Sequence, residues 1–240
     1  MILVLAGTSE GRKTALALEA EGYKVMAATA TDYGGDLLEK DFHGDISARP
    51  LNLEAMIELI RKRGITKVID ATHPFAEEVS TNAKEACLRT GIDYERFERE
   101  VSNVETGRGV IKACDLEEAV QLASGCSGNI FLTVGSSKLE CYTRSLDPEK
   151  LIVRILPVLS SLEKCLELGI PPKNIIAMQG PFDEEINKLL FRRYDAALII
   201  SKDSGPAGGT AEKISAAQSL SIPIILISRP NPNPKPKQVQ

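Results

Sequence analysis

The chain has 240 residues, and its 29 lysines and arginines against 33 aspartates and glutamates give a formal net charge of −4. Basic residues form no block, so the composition gives no indication of a nucleic-acid partner. The apolar residues 2–6 are too few for a signal-peptide core or a membrane span. We therefore expect a cytoplasmic protein with no membrane partner.

Strand-like apolar runs alternate with amphipathic segments along the first half of the chain, which predicts a mostly parallel sheet covered by helices. The strand candidates are 2–6, 24–29, 42–46, 67–71 and 93–97. The helix candidates are about 12–21, 52–63 and 75–90. Gly22, Gly64 and Gly91 follow these helices, where a glycine favours a C-terminal cap.

A second series follows Gly107, with strand candidates at 109–113, 130–134, 151–155, 174–178, 195–200 and 223–228. Asp115 and Glu118 form a capping box that opens a helix through about residue 124. The apolar pattern is interrupted near 100–108. The sequence thus predicts an α/β protein of two Rossmann-like domains with mostly parallel sheets, at 1–104 and 105–230.

Alternate prolines fill the segment 229–236, and they remove backbone donors that a helix or sheet would need. We expect a Pro-rich, disordered C-terminal tail over 231–240. A ligand for a proline-recognition module is the alternative interpretation of this segment. The five cysteines show neither CxxC spacing nor a neighbouring histidine. They are interpreted as free thiols, and no metal site is predicted.

The strand at 2–6 runs directly into Gly7, Thr8 and Ser9 and then into a helix, a corner typical of phosphate binding. Unpaired N–H groups and the helix dipole favour an anion over Gly7–Ser9. The full dinucleotide fingerprint has three glycines, whereas only Gly7 and Gly11 stand here. The alternative is that Gly7 only allows the chain to turn.

A buried strand also ends before Thr72 and His73, and Pro74 is placed to begin the following helix. His73 can donate a hydrogen bond to a carboxylate or act as a proton donor. The alternative is that Thr72 or His73 only caps the helix. His43, in contrast, has no partner at a recognisable spacing and is interpreted as a surface residue.

Two further strands in the second half end in turns, at Thr133–Lys138 and at Gln179–Phe182. Backbone donors in the first turn, with Lys138, favour an anion. The densest motif is 201–213, where Gly208 and Gly209 allow backbone amides to approach a ligand at a helix N terminus. Lys202 and Lys213 add positive charge there. A purely structural loop rarely needs lysine, aspartate, glutamate and three glycines together at a strand end.

Four of these motifs together resemble the precorrin-6A reductases of cobalamin biosynthesis. They are Gly7–Glu10, Ala71–Ala76, Gly180–Phe182 and Lys202–Lys213. The resemblance reaches nearly to Pro230. It implies a two-domain Rossmann-like enzyme that reduces the C18=C19 double bond of precorrin-6A or cobalt-precorrin-6A with NADPH or NADH, hydride going to C19 and a proton to C18.

The macrocycle that the resemblance implies carries many carboxylates, so the enzyme needs a local group of cations. Hydride transfer requires no protein nucleophile or metal.

Three groups of site residues follow. The candidate proton donors are His73, Asp203 and Glu212, with solvent as the alternative. The cofactor residues are Gly7, Thr8, Ser9, Glu10, Arg12, Thr72, Gly135, Ser136 and Lys202. The substrate residues are Arg96, Lys138, Gly208, Gly209 and Lys213.

The choice between NADH and NADPH stays open in the sequence, since Asp32 favours ribose hydroxyls and Arg12 a 2′-phosphate. Two other functional classes also stay open. A different nicotinamide-dependent reductase has no need of the 202–213 loop. A non-catalytic dinucleotide-sensing module would bind the dinucleotide without turnover.

Overall fold

The computed structural model describes residues 1–97, 107 and 109–229. Two compact units make up the chain, Met1–Arg99 and Glu100–Gln240. Most of the interrupted segment near 100–108, and all of the predicted tail at 231–240, lie outside the described residues. Within the described part of the chain, no helix is both long and apolar enough to cross a membrane.

The N-terminal unit is a five-stranded parallel sheet with helices on both faces. Its elements are β1 Ile2–Leu5, α1 Ser9–Ala20, β2 Val25–Thr29, α2 Asp32–Glu39, β3 Asp45–Ala48, α3 Leu53–Arg63, β4 Lys67–Asp70, α4 Glu77–Thr90 and β5 Asp93–Arg96. The strand order is β3-β2-β1-β4-β5. This order places β1 at the centre, as in a doubly wound sheet.

Alternation along the central strand builds two cores in this unit. Leu3 and Leu5 pack on one face of the sheet with Met56 and Ile60 of α3. Val4 packs on the other face, where α1 and α2 contribute their apolar side chains. Because both faces are covered, the strands are apolar almost throughout, which is why the sequence pattern identified them.

The C-terminal unit is a six-stranded sheet of order β6-β11-β10-β7-β8-β9. Its elements are β6 Val110–Ala113, α5 Leu116–Ala123, β7 Asn129–Thr133, α6 Leu139–Thr143, β8 Leu151–Ile155, α7 Leu159–Glu167, β9 Ile175–Ala177, α8 Glu184–Arg193, β10 Ala196–Lys202, α9 Thr210–Ser219 and β11 Ile224–Ile227. Short 3₁₀ turns lie at Pro148–Lys150, Pro172–Asn174 and Pro206–Gly208. Every strand pairing among the described residues of this unit is parallel. The predicted α/β class with parallel sheets is confirmed.

Local signals are confirmed at several helix ends. Asp115 Oδ1 accepts from the Glu118 N–H at 2.9 Å, and Glu118 Oε2 accepts from the Cys114 N–H at 2.7 Å. Gly64 and Gly91 adopt left-handed conformations at the ends of α3 and α4. All five cysteines are free thiols, as predicted.

Other predictions in the N-terminal unit were wrong. The strand expected at 42–46 is Asp45–Ala48, because Phe42 packs its ring into the core before the strand begins. α1 begins at Ser9 rather than near residue 12, since Thr8 caps it. α4 begins at Glu77, so Pro74 lies in a turn before the helix, where the Ala76 N–H donates to the His73 carbonyl. Neither Thr72 nor His73 is its N-cap, which is Ala76.

Candidate functional site

The order in which successive strands are added to the N-terminal sheet reverses between β1 and β4. The chain continues from β1 to β2 on one side and from β4 to β5 on the other. Such a switch point opens a crevice at the carboxyl ends of the strands, where ligands of doubly wound sheets bind. The loops 6–8 and 71–76 flank it, and we call these loops the N-terminal switch point.

Thr8 joins the two loops of the N-terminal switch point. Its hydroxyl donates to the Ala71 carbonyl at 2.8 Å and accepts from the Gly11 N–H at 3.1 Å. The same oxygen therefore caps α1 and fixes the β4 loop. A methyl group on Gly11 would lie 2.7 Å from Ala6 Cα, so Gly11 allows α1 to approach β1 closely. A methyl group on Gly7 would meet nothing within 4 Å, and the corner is open there.

The first turn of α1 combines favourable and unfavourable features for a diphosphate. The Ser9 N–H belongs to the first helical turn, which by geometry points its donors beyond the helix end. Ser9 Oγ, however, donates to Glu10 Oε2 at 3.0 Å, and this brings a carboxylate to the same end. Arg12 lies one turn further, half-buried, and supplies the opposite charge.

Below the β4 loop lies a buried polar network centred on Asp70, whose side chain is 0 % exposed. Asp70 accepts from the Thr72 N–H at 3.1 Å, from the Thr72 hydroxyl at 2.7 Å and from the Tyr94 hydroxyl at 2.8 Å. Arg96 forms an ion pair with Asp70 and donates to the hydroxyls of Thr72 and Ser80. Arg96, predicted to bind substrate, therefore directs one end of its guanidinium group into the protein.

The network fixes the charge of its members. Burial would raise the pKa of Asp70, but hydrogen bonds from Thr72 and Ser80, together with the charge of Arg96, bring the pKa below its ordinary value. Burial, followed by the neighbouring Asp70, raises the pKa of Tyr94. Asp70 is thus a carboxylate and Tyr94 a neutral donor at neutral pH.

His73 stands at the rim of the same loop. Its Nδ1 accepts from the Phe75 N–H at 3.3 Å, which leaves Nε2 as the protonated nitrogen of the neutral ring. The rings of His73 and Phe75 lie with centroids 5.6 Å apart. His43, in contrast, is exposed near Glu19, which confirms its interpretation as a surface residue.

In the C-terminal sheet the strand order reverses between β7 and β10. The chain continues from β7 to β8 on one side and from β10 to β11 on the other. The loops 134–138 and 203–209 flank this C-terminal switch point. Gly135 has a positive φ of 76°. Ser136 shares a 2.9 Å hydrogen bond with Ser161 of α7, and Lys164 donates to the Ser137 carbonyl at 2.8 Å. α7 therefore holds the first loop in place.

Close packing shapes the second loop. A methyl group on Gly208 would lie 2.2 Å from Ser204 Cβ, and Gly205 and Gly209 have positive φ angles. Thr210 Oγ1 accepts from the Ser204 N–H at 3.1 Å, which ties the loop to the start of α9. Asp203 is tied as well, since its Oδ1 accepts from the Gly205 N–H at 3.2 Å.

Three lysines belong to the C-terminal switch point. Burial, and then the charge of Lys138, lower the pKa of Lys202. Burial, with the nearby charge of Arg154, lowers the pKa of Lys213 to about 8, although Glu212 opposes this. Lys213 Nζ donates to the Gly208 carbonyl at 2.6 Å. The positive charge predicted from the sequence is therefore concentrated at this edge of the sheet.

Glu212 has a buried carboxylate oxygen at the start of α9. No donor to its Oε2 exists among the described residues. A methyl group on Gly209 would lie 3.5 Å from this oxygen. A buried oxygen without a donor is costly unless it meets a ligand, which makes Glu212 chemically distinctive at the start of α9.

Comparisons with known proteins match this chain to one family. The model of the precorrin-6x reductase CbiJ/CobK family matches residues 1–240. The chain belongs to this family. Cobalt-precorrin-6A reductase of Methanothermobacter thermautotrophicus is 42 % identical over 95 % of this chain and 76 % of its own length. The enzyme of that name from Priestia megaterium is 40 % identical over 95 % of this chain and 90 % of its own length.

The fold agrees with the family assignment. A solved structure titled CobK precorrin-6A reductase superposes with a TM-score of 0.77 over 98 % of this chain and 90 % of that chain, at 24 % sequence identity. The resemblance to precorrin-6A reductases expected from the sequence is confirmed. The predicted roles of individual residues in this CbiJ/CobK family member remain predictions.

The structure divides the predicted site residues between the two switch points. At the N-terminal unit lie Gly7, Thr8, Ser9, Glu10, Arg12, Thr72, His73 and Arg96. At the C-terminal unit lie Gly135, Ser136, Lys138, Lys202, Asp203, Gly208, Gly209, Glu212 and Lys213. Sequence analysis missed Asp70, Ser80, Tyr94 and Asn187 as members of polar networks. The one signal of these networks in the sequence was Asp70, a charged residue at the end of the apolar strand 67–70.

Proposed function

We propose that this chain is a nicotinamide-dependent reductase that converts cobalt-precorrin-6A to cobalt-precorrin-6B by reducing the C18=C19 double bond in corrin biosynthesis. The family match over residues 1–240 carries the proposal. The two relatives described above, at 42 % and 40 % identity, are both named for the cobalt-containing substrate. This favours the cobalt macrocycle over precorrin-6A. We also propose that the reaction takes place in the cytoplasm.

The N-terminal switch point is the proposed dinucleotide site. Its open corner at Gly7, the close packing of Gly11 on Ala6 and the N terminus of α1 fit a diphosphate held by main-chain donors. Arg12 supplies positive charge, while Glu10, which accepts a hydrogen bond from Ser9, is proposed to bind hydroxyl groups of a ribose. NADPH or NADH supplies the hydride when bound.

The C-terminal switch point is the proposed site for macrocycle carboxylates. Lys138 and Lys213 supply the positive charge, and Gly208 and Gly209 lie at the start of α9. The N–H groups of these two glycines donate to the Gly205 and Pro206 carbonyls, so the expectation that their backbone amides are open to a ligand was wrong. Cations in a low-dielectric loop bind carboxylates more strongly than cations in water do. Gly135 and Ser136 belong to the opposing loop and are proposed to contact the cofactor together with Lys202.

One proton must reach C18 in the proposed reaction. His73, Asp203 and Glu212 are the proposed donors, with solvent as the alternative source. Asp203 is engaged by the Gly205 N–H, and His73 Nδ1 is engaged by the Phe75 N–H. Glu212 has an oxygen with no donor within the described chain, so Glu212 is the candidate to test first.

The proposal is tested by following loss of reduced-nicotinamide absorbance with NADPH or NADH, with and without cobalt-precorrin-6A or precorrin-6A. Oxidation that requires the cobalt macrocycle supports the proposal, and the rates with the two dinucleotides identify the cofactor. Binding of a dinucleotide without oxidation would favour the sensing module. Lys138→Met should lower kcat/KM for the macrocycle, whereas Lys150→Met, at another exposed lysine, is the matched control.

A further inference from the structure

An arginine interrupts the apolar face of the second sheet. Arg154 follows Ile152 by two residues on β8, so both point to the face where Ile152 packs in the core. Arg154 is only 7 % exposed, and burial lowers its pKa to about 10. None of the carboxylates in the described chain forms an ion pair with it. A buried cation of this kind is costly, so it requires a reason other than packing.

The guanidinium group of Arg154 makes three neutral contacts, the most distant of them with the Phe131 ring, whose centroid lies 5.9 Å from Cζ. Its Nη1 donates to Asn187 Oδ1 of α8 at 2.8 Å. Its Cζ lies 4.3 Å from the centroid of the Phe182 ring. A planar guanidinium can stack on an aromatic ring and donate a hydrogen bond at the same time, whereas a lysine ammonium is a point donor.

Asn187 transmits this contact to the main chain. It is 0 % exposed, and because Arg154 occupies its Oδ1, the amide nitrogen faces the loop before α8. Asn187 Nδ2 donates to the Asp183 carbonyl at 2.7 Å and to the Phe182 carbonyl at 3.3 Å. Arg154 and Asn187 thus hold both the ring and the backbone of Phe182.

The segment held in this way contacts the loop at the C-terminal switch point. A methyl group on Gly209 would lie 3.5 Å from the Phe182 carbonyl oxygen and 3.9 Å from Pro181 Cβ. The same position is 3.5 Å from Glu212 Oε2. A shift of the Phe182 segment would therefore displace the start of α9, where Gly209 and Glu212 stand.

We infer that Arg154 and Asn187 are positioning residues for the reduction: they fix segment 180–183 against Gly209 and thereby set the place of Glu212. The inference rests on the proposed function, and it assigns neither residue a contact with substrate. Asn187→Asp keeps an acceptor for Arg154 but loses both donors to the loop. Arg154→Lys keeps the cation but loses the planar group.

A fluorescence experiment tests the positioning itself. The chain has no tryptophan, so Phe182→Trp introduces a single reporter in the segment. The reporter should show the anisotropy of the whole protein, and adding Arg154→Lys or Asn187→Asp should lower the anisotropy and increase acrylamide quenching. A mobile reporter beside the native Arg154 and Asn187, or a reporter unaffected by both substitutions, would overturn the inference.

Kinetics test the consequence for the reaction. With thermal unfolding confirming a folded protein, Arg154→Lys and Asn187→Asp should lower kcat/KM for cobalt-precorrin-6A by about tenfold to a hundredfold, as misplacement of a reacting group does. The KM for the dinucleotide should stay within about twofold of the unsubstituted value. Exposed Arg193→Lys, on the same helix as Asn187, is the control.

Folded variants with unchanged kcat/KM would overturn the inference. Absence of turnover in the unsubstituted protein would instead refute the proposed function, and the fluorescence result would still decide whether Arg154 holds the segment.

Discussion

The hydroxyl of Thr8 donates a 2.8 Å hydrogen bond to the carbonyl of Ala71 and so joins the loops that follow β1 and β4. These two strands are neighbours at the point where the strand order of the N-terminal sheet reverses. One side chain therefore sets the separation of the two loops proposed to hold the dinucleotide. Because the same oxygen caps α1, its loss should affect both stability and binding.

Thr8→Val should lower the free energy of unfolding by about 1–2 kcal/mol, since it removes a helix cap and leaves the Ala71 carbonyl without its donor. It should also weaken dinucleotide binding. Thr8→Ser keeps the hydroxyl and should retain most of both properties. Urea unfolding and titration with NADPH or NADH measure the two effects. Equal stability of Thr8→Val and the unsubstituted protein would contradict the assigned cap.

Gly7 and Gly11 should respond differently to the same added methyl group. Gly11→Ala places Cβ 2.7 Å from Ala6 Cα and should destabilise the fold by about 1–3 kcal/mol. Gly7→Ala meets no atom within 4 Å, so stability should be unchanged while dinucleotide affinity falls. Thermal unfolding and dinucleotide titration of both variants check this. Full affinity in Gly7→Ala would show that no ligand approaches the backbone there.

Asp70 should make stability depend on pH in acid. Its folded-state pKa lies below the ordinary 3.8, so the unfolded chain takes up the proton first as pH falls. The stabilisation is complete above 3.8 and is lost as pH falls from there through the folded-state pKa. Asp70→Asn should cost about 2–4 kcal/mol at neutral pH, because Arg96 loses its partner. The difference from the unsubstituted protein should shrink in acid; a pH-independent difference in urea unfolding would contradict this account.

Lys213 should make stability rise with pH in alkali, in the same direction as Asp70 does in acid, because both folded-state pKa values lie below their ordinary values. Its pKa of about 8 in the folded protein lies below the ordinary 10.5, so the folded state loses the proton first as pH rises. The unfolded chain then binds more protons, and the contribution of Lys213 to stability should increase between about 8 and 10.5. Lys213→Met should abolish that increase. Denaturant unfolding across this range measures it, and parallel pH profiles for the two proteins would show that Lys213 is not buried as a cation.

The sequence predicted strands well because both faces of each sheet are buried and the apolar runs are nearly continuous. It missed α2 because Gly34 and Gly35 lower helix propensity and resemble a turn. In the structure these glycines allow close contact, since methyl groups on them would lie 2.9 Å from Thr29 Cβ and 2.7 Å from Ala48 Cβ. Such a packing requirement is a tertiary effect that local propensity does not contain.

The parts of the candidate site that lie at strand ends were predictable from the sequence. The parts that depend on contacts between side chains distant in sequence were not. Glycine and hydroxyl turns after β1, β7 and β10 were visible because loops at the carboxyl ends of parallel strands carry the site. The partners Asp70 and Arg96 are 26 residues apart, and Arg154 and Asn187 are 33 apart. Only the folded sheet brings them together, so Arg96 was predicted as a substrate ligand without its bond to Asp70.

The central claim is that this chain transfers a hydride from a reduced nicotinamide to a corrin precursor. The most direct measurement uses NADPH and NADH deuterated at the transferred position, incubated with the protein and cobalt-precorrin-6A, followed by mass spectrometry of the macrocycle. We expect a reduced product that carries a single deuterium from one of the two dinucleotides. A macrocycle that is recovered unreduced, or reduced without deuterium from either dinucleotide, would contradict the claim.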